Sequence, residues 1–141
     1  MMSEDHFVRD RISSFAEVEI FIKTARDILH SENYYLEIQR YRKGEASIDA
    51  FSTHNTLLAL GYDVDDIAAE LRSLRLSDYV KTTVDVKRPD SPEFWVFEKT
   101  IQKRSVYIKF KIRHVENKKI FCMSFHFPKW PIIKKPYADK V

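Results

Sequence analysis

Glycine is nearly missing from this chain, with two residues among 141. That excludes collagen-like repeats and glycine-rich linkers. A glycine-built phosphate cradle is also unexpected, and neither a GxGxxG nor a P-loop motif occurs. Cysteine is scarcer still. Cys122 stands alone and cannot form an internal disulfide, which suits a reducing cytoplasm. No apolar run approaches ~18–20 residues, so no membrane span is expected. The first ten residues, MMSEDHFVRD, are polar and acidic and lack the apolar core of a secretory signal. The histidines His6, His30, His54, His114 and His126 show no metal-ligand spacing, so neither a metal nor a cofactor is expected.

What the chain does have is apolar mass and divided charge. It is 44% hydrophobic and 13% aromatic, enough to bury a core and too apolar for disorder. Its length fits a single domain over residues 1–141. The net charge of +3 hides an asymmetry. Residues 1–75 carry 9 basic and 14 acidic side chains, whereas residues 76–141 carry 15 basic and 7 acidic. A basic half is suited to a polyanion such as nucleic acid, and equally to a well-solvated surface.

Periodicity divides the chain in the same place. A helix is predicted over residues 15–30, opened by a Ser14/Glu17 capping box, with Phe15, Val18, Ile22, Ala25 and Leu29 on one stripe. Residues 34–40 alternate as a short strand. A second helix is predicted from about Ile48 to Leu60, closed by Gly61, and a third after Asp63. Beyond residue 80 the period becomes two. Strands are predicted near 81–86, 94–101, 105–113 and 119–126, with all five prolines outside them. The expected fold is therefore α+β: N-terminal helices, mainly in residues 1–75, packed on an antiparallel β-meander in 76–127. A Pro/Lys-rich tail follows in 128–141.

Register follows from matching apolar faces. A turn centred on Glu116-Asn117 sets Tyr107 opposite His126, Lys109 opposite Ser124 and Lys111 opposite Cys122. A two-residue turn at Lys103-Arg104 sets Phe97 opposite Phe110, Trp95 opposite Ile112 and Glu98 opposite Lys109. One face of the sheet is then apolar. The other displays Tyr107, Lys109, Lys111, Arg113, Ser124, His126 and Glu98. Two titratable rings meet among cations there, and histidine is the side chain whose proton moves most easily near neutral pH. Neighbouring lysines disfavour its charged form, and Glu98 favours it. Cys122 lies mid-strand, where thiols are usually inert, and Ser124 with His126 makes no triad. Trp130, among Lys129, Lys134 and Lys135, is suited either to stacking on a nucleotide or to packing on the sheet edge.

Several motifs occur in a fixed order. They are Leu60-Gly61-x-Asp63-x-Asp65, Ser77-Asp78-Tyr79-x-Lys81, Trp95, Val106-Tyr107-Ile108-Lys109 and Ser124-Phe125. Over about residues 55–127 the chain resembles the MqsR-type toxins of bacterial type II toxin–antitoxin systems. The resemblance implies a RelE-like fold and a toxin that cleaves mRNA and is neutralised by an antitoxin. It places the family's catalytic lysine on Lys81, its strand tyrosine on Tyr107, and the position after Ser-Phe, a lysine in the best-known member, on His126. A glutamine following the tryptophan in that member is Val96 here. The expected reaction is metal-independent attack of a 2′-OH on its own phosphodiester. His126 is assigned proton transfer, preferentially as the acid. Lys81 and Lys109 stabilise charge, Tyr107 orients, and Lys109, Lys111, Arg113 and Trp130 hold RNA. Two other classes also fit the sequence: a non-catalytic RNA-binding or regulatory module, and a protein-interaction domain whose basic face meets an acidic partner.

Overall fold

A computed structural model describes residues 9–132 and 134–140. Residues 1–8, which hold His6 and most of the polar N-terminal stretch, lie outside them, as do Ile133 and Val141 of the tail. The elements are β1 (Asp10–Arg11), α1 (Phe15–His30), β2 (Tyr35–Ile38), α2 (Thr53–Leu60), α3 (Val64–Arg72), a 3-10 turn (Leu76–Asp78), β3 (Tyr79–Thr83), β4 (Phe94–Ile101), β5 (Arg104–His114) and β6 (Lys119–His126). Three helices and a six-stranded sheet give a mixed α+β architecture among the described residues, with sheet order β1-β3-β4-β5-β6-β2.

The segregation of helices from strands is looser than predicted. Two strands of the first half join opposite edges of the meander. β1 pairs antiparallel with β3, and β2 pairs parallel with β6, so the sheet is not purely antiparallel. A two-residue strand such as β1 has no room to show a period. The second helix starts at Thr53 rather than near Ile48, because Ser52 is its cap and Ile48 is 90% exposed. The first strand of the meander runs 79–83 rather than 81–86.

Local chemistry explains the helices. Ser14 and Glu17 form the expected reciprocal cap of α1, and Asp63 and Asp66 form one on α3. Gly61 ends α2 at φ 71°, where any Cβ would be strained. The α1 stripe buries Val18, Phe21, Ile22, Ala25, Ile28 and Leu29. Phe21 stacks flat on Trp95 at 4.3 Å, an arrangement worth ~0.5–1.5 kcal/mol beyond its burial. α2 shields the open edge of β6 where β2 has ended. The Phe125 N–H donates to Thr53 Oγ1 at 3.2 Å, and the Phe127 N–H donates to Thr56 Oγ1 at 3.1 Å. Those backbone donors would otherwise be unsatisfied beneath the helix.

The β4–β5 turn lies at Gln102-Lys103, one residue earlier than predicted. Both residues have positive φ, which two-residue hairpin turns require. Trp95 therefore opposes Phe110, Phe97 opposes Ile108 and Glu98 opposes Tyr107. The slip is two residues in register, so every side chain keeps its predicted face.

Bulges correct the alternation elsewhere. Between β3 and β4, Tyr79 pairs with Phe97 but Lys81 pairs with Val96, so Val80 is the extra residue. Strict alternation would aim Lys81 into the core beside Tyr79. The bulge turns it to the opposite face. Between β5 and β6, Tyr107 faces His126 and Lys109 faces Ser124, as predicted, but Phe110 then faces Cys122. Met123 is extra, and Lys111 consequently faces Phe121 rather than Cys122. The bulge sends Cys122 into the core, where it is fully buried. Its thiol donates to the Ser124 carbonyl at 3.3 Å, and burial pushes its pKa up to about 12.

Candidate active site

The face of the sheet away from α1 is built in cross-strand rows. One row runs Lys81, Val96, Lys109, Ser124, and the next runs Glu98, Tyr107, His126. The bulge at Val80 brings Lys81 into the first row. Three segments lie over this face: residues 84–93, residues 39–52, and the chain beyond Phe127.

Tyr107 and His126 stack with ring centroids 5.2 Å apart and planes 22° apart. His126 Nδ1 lies 3.2 Å from the Phe127 carbonyl oxygen. A carbonyl only accepts, so the proton sits on Nδ1 and the neutral ring keeps its lone pair on Nε2. Burial lowers the His126 pKa. The Phe127 hydrogen bond opposes this, the Arg42 charge adds to it, and Glu45 and Asp49 pull the other way. The net direction is down, and the imidazole is neutral at pH 7. Burial raises the Tyr107 pKa against the charges of Lys81 and Arg42, so its hydroxyl stays protonated. Burial lowers the Lys109 pKa, and the cations Arg42 and Lys81 lower it further.

Lys81 pairs with Asp10 at 2.8 Å. Lys109 makes no ion pair among the described residues and lies 5.1 Å above the Phe94 ring. Lys81, Lys109, Tyr107 and His126 thus share one face. Trp130 is 79% exposed and lies at the rim of a cavity of about 480 Å3 whose floor includes Tyr107 and His126.

Two predicted RNA-holding residues are placed elsewhere. Lys111 is 2% exposed, bonded to Asp85 at 2.8 Å and Ser91 at 3.1 Å. It also lies 4.7 Å above the Phe94 ring. It pins the 84–93 segment and presents nothing to a ligand, which corrects the expected exposed row of cations. Arg113 bonds Glu37 at 2.8 Å and covers the Phe121 ring at 4.1 Å, outside the cavity. Glu98, expected to act on His126, is held by Lys135 at 2.7 Å and Ser105 at 2.6 Å. The carboxylates that act on His126 are those of Glu45 and Asp49.

Arg42 is the functional candidate that periodicity missed. It reaches from the 39–52 segment to donate to Ser124 Oγ and to the carbonyl of the bulged Met123. No carboxylate side chain pairs with it among the described residues, so its charge faces the cavity. Loop residues follow no period. The signal available was compositional: Arg40, Arg42 and Lys43 form the densest basic run of the acidic half.

The arrangement is an α+β sheet with a neutral histidine, a protonated tyrosine, Arg42 and Lys129 lining one cavity, and Lys81 and Lys109 in the neighbouring row of the same face. A family model described as "Motility quorum-sensing regulator, toxin of MqsA" matches residues 34–127, about two thirds of the sequence. The chain belongs to this MqsR toxin family. No curated protein matches it. Among the described residues, no helix is long and apolar enough to cross a membrane.

Proposed function

We propose that the chain is the toxin component of a toxin–antitoxin pair and an endoribonuclease that cleaves mRNA by attack of a 2′-OH on the adjacent phosphodiester. The observation that carries this reading is the neutral His126, protonated on Nδ1 and stacked on Tyr107 beside Arg42 and Lys109. RNA supplies the nucleophile itself, so the protein has only to move two protons and hold charge.

His126 Nε2 takes the proton of the 2′-OH. The freed oxygen attacks phosphorus, and the bond to the 5′-oxygen breaks, leaving a 2′,3′-cyclic phosphate and a 5′-hydroxyl. The sequence favoured His126 as the acid. Its lowered pKa suits it better as the base, because a neutral ring is ready to accept. Lys109, whose ammonium is destabilised by burial and by Arg42 and Lys81, is suited to protonate the leaving oxygen. Arg42 and Lys81 face the charge that develops on the phosphorane. Tyr107 holds the His126 ring and offers a hydroxyl proton to a phosphate oxygen. Trp130 stacks on a base. A cognate antitoxin neutralises the toxin, and covering this face is the direct way to do so.

The test incubates the purified chain with an RNA and with the same strand carrying one 2′-deoxy residue at the cut site. Cleavage of the first only, with cyclic phosphate ends, is expected. Equal cutting of both strands would remove the mechanism. Salt-sensitive binding without cleavage would make the chain an RNA-binding module instead.

A further inference from the structure

The cavity beside His126 contains two groups that phosphate chemistry does not explain. Glu45 and Asp49 line it together with Arg42, Phe51, Lys129 and Trp130. Carboxylates repel the RNA backbone, so a site that only held phosphate would be better without them. Neither forms an ion pair with a side chain among the described residues, although cations line the same cavity. Each is anchored through one oxygen. Asp49 Oδ1 accepts from the Phe51 N–H at 2.9 Å, and Glu45 Oε1 accepts from the Arg42 N–H at 3.3 Å. The second oxygen of each has no hydrogen-bond partner among the described residues, and nearby chain anchors both side chains.

Besides favouring the charged form of His126, acceptors of this kind in a single-stranded RNA site can take hydrogens from a base edge. Cytosine, adenine and guanine each present an exocyclic amine on the Watson–Crick edge. Uracil presents carbonyl oxygens with a single imino hydrogen between them, so a carboxylate meets mainly lone pairs. Stacking surface for a base is also present. Trp130 is 79% exposed at the rim, and Phe51 is partly exposed. The volume of about 480 Å3 accommodates a nucleotide rather than a bare ion.

We propose that this cavity is a nucleobase subsite that selects bases bearing an exocyclic amine and rejects uracil, with Glu45 and Asp49 reading the amine and Trp130 stacking on the ring. The proposal rests on the RNA-cleaving reading for its ligand class and extends it to base choice. It makes Glu45 and Asp49 specificity residues, distinct from the proton-transfer groups beside them.

The test uses the full chain and 3′-nucleoside monophosphates, read by quenching of tryptophan fluorescence. Trp95, packed against Phe21, serves as the internal constant. Two pairs of ligands isolate the amine: 3′-CMP against 3′-UMP, and 3′-GMP against 3′-IMP. The amine-bearing member of each pair is expected to bind about tenfold tighter. Trp130→Phe is expected to reduce the quenching sharply. The double variant Glu45→Gln, Asp49→Asn keeps the anchoring oxygens and places amide donors at the free positions. Its preference should collapse to parity or invert toward 3′-UMP, with the circular dichroism spectrum unchanged. Equal binding within both pairs, no binding of any nucleotide, or an unaltered preference in the folded double variant overturns the proposal. Cleavage is scored separately. Amine-selective binding without RNA cleavage removes the nuclease reading and leaves the subsite. Cleavage without base discrimination does the reverse.

Discussion

Lys109 and Lys111 lie on one strand and one face of the sheet, two residues apart, and they behave as different residues. At the Lys111 end, the 84–93 segment folds over Phe94 and Phe121, and the ammonium is enclosed by Asp85 and Ser91. At the Lys109 end, the covering segments stand back to leave a cavity, and Arg42 and Lys109 lack carboxylate partners among the described residues. The closed end is a second small core built around an ion pair. The open end is charge with no carboxylate partner among the described residues, which the proposed function assigns to RNA. Alternation makes both lysines look alike, and only the loops above them separate the roles.

The largest effect is expected at the open end. His126→Ala should lower RNA cleavage by about 10²–10⁴-fold with little change in thermal stability. A full-rate variant would remove His126 from the chemistry. At the closed end, the cost moves to folding. Lys111→Met should destabilise by ~3–5 kcal/mol in urea titration, because it leaves Asp85 of the covering segment without its cation. Burial works to raise the Asp85 pKa, but the hydrogen bond and charge of Lys111 outweigh it and hold the carboxyl below its ordinary 3.8. The pair's contribution is therefore fully present above 3.8 and is lost as pH falls through the lower folded value.

A smaller effect separates charge from packing at the open end. The proposed mechanism uses a neutral His126 as base, so cleavage should fall as pH drops through its folded pKa, which lies below 6.5. Arg42→Ala removes an influence that lowers that pKa. The acid limb of the pH–rate profile should then move to higher pH, and a purely structural Arg42 would leave it in place. The smallest effect is at Arg113. Its pair with Glu37 is half exposed, and Arg113→Gln should change stability by less than about 1 kcal/mol in the same urea titration.

Much of the scaffold was readable from periodicity. The bounds of α1, β4 and β6 and the pairing of Tyr107 with His126 follow from apolar spacing together with the Ser14/Glu17 cap and the turn at Glu116-Asn117. The bulges at Val80 and Met123 did not, because an extra residue leaves the hydrophobic sequence intact and changes only which face later residues occupy. Yet those bulges place Lys81 in the site and send Cys122 out of it. The β4–β5 turn was missed by one residue because Gln102 and Lys103 adopt positive φ without the glycine or asparagine that usually marks it. Arg42, Glu45 and Asp49 come from a segment with no period, positioned by the parallel pairing of β2 at the far edge of the sheet.

The inward turn of Cys122 gives the molecule a natural clock. A thiol with no solvent contact and a pKa near 12 reacts with an alkylating reagent only while the core around it is open. Being the chain's one sulfhydryl, it makes each labelled molecule a single recorded opening event. Mass spectrometry of alkylation against time would report how often the core beneath the candidate site opens, with no engineered probe.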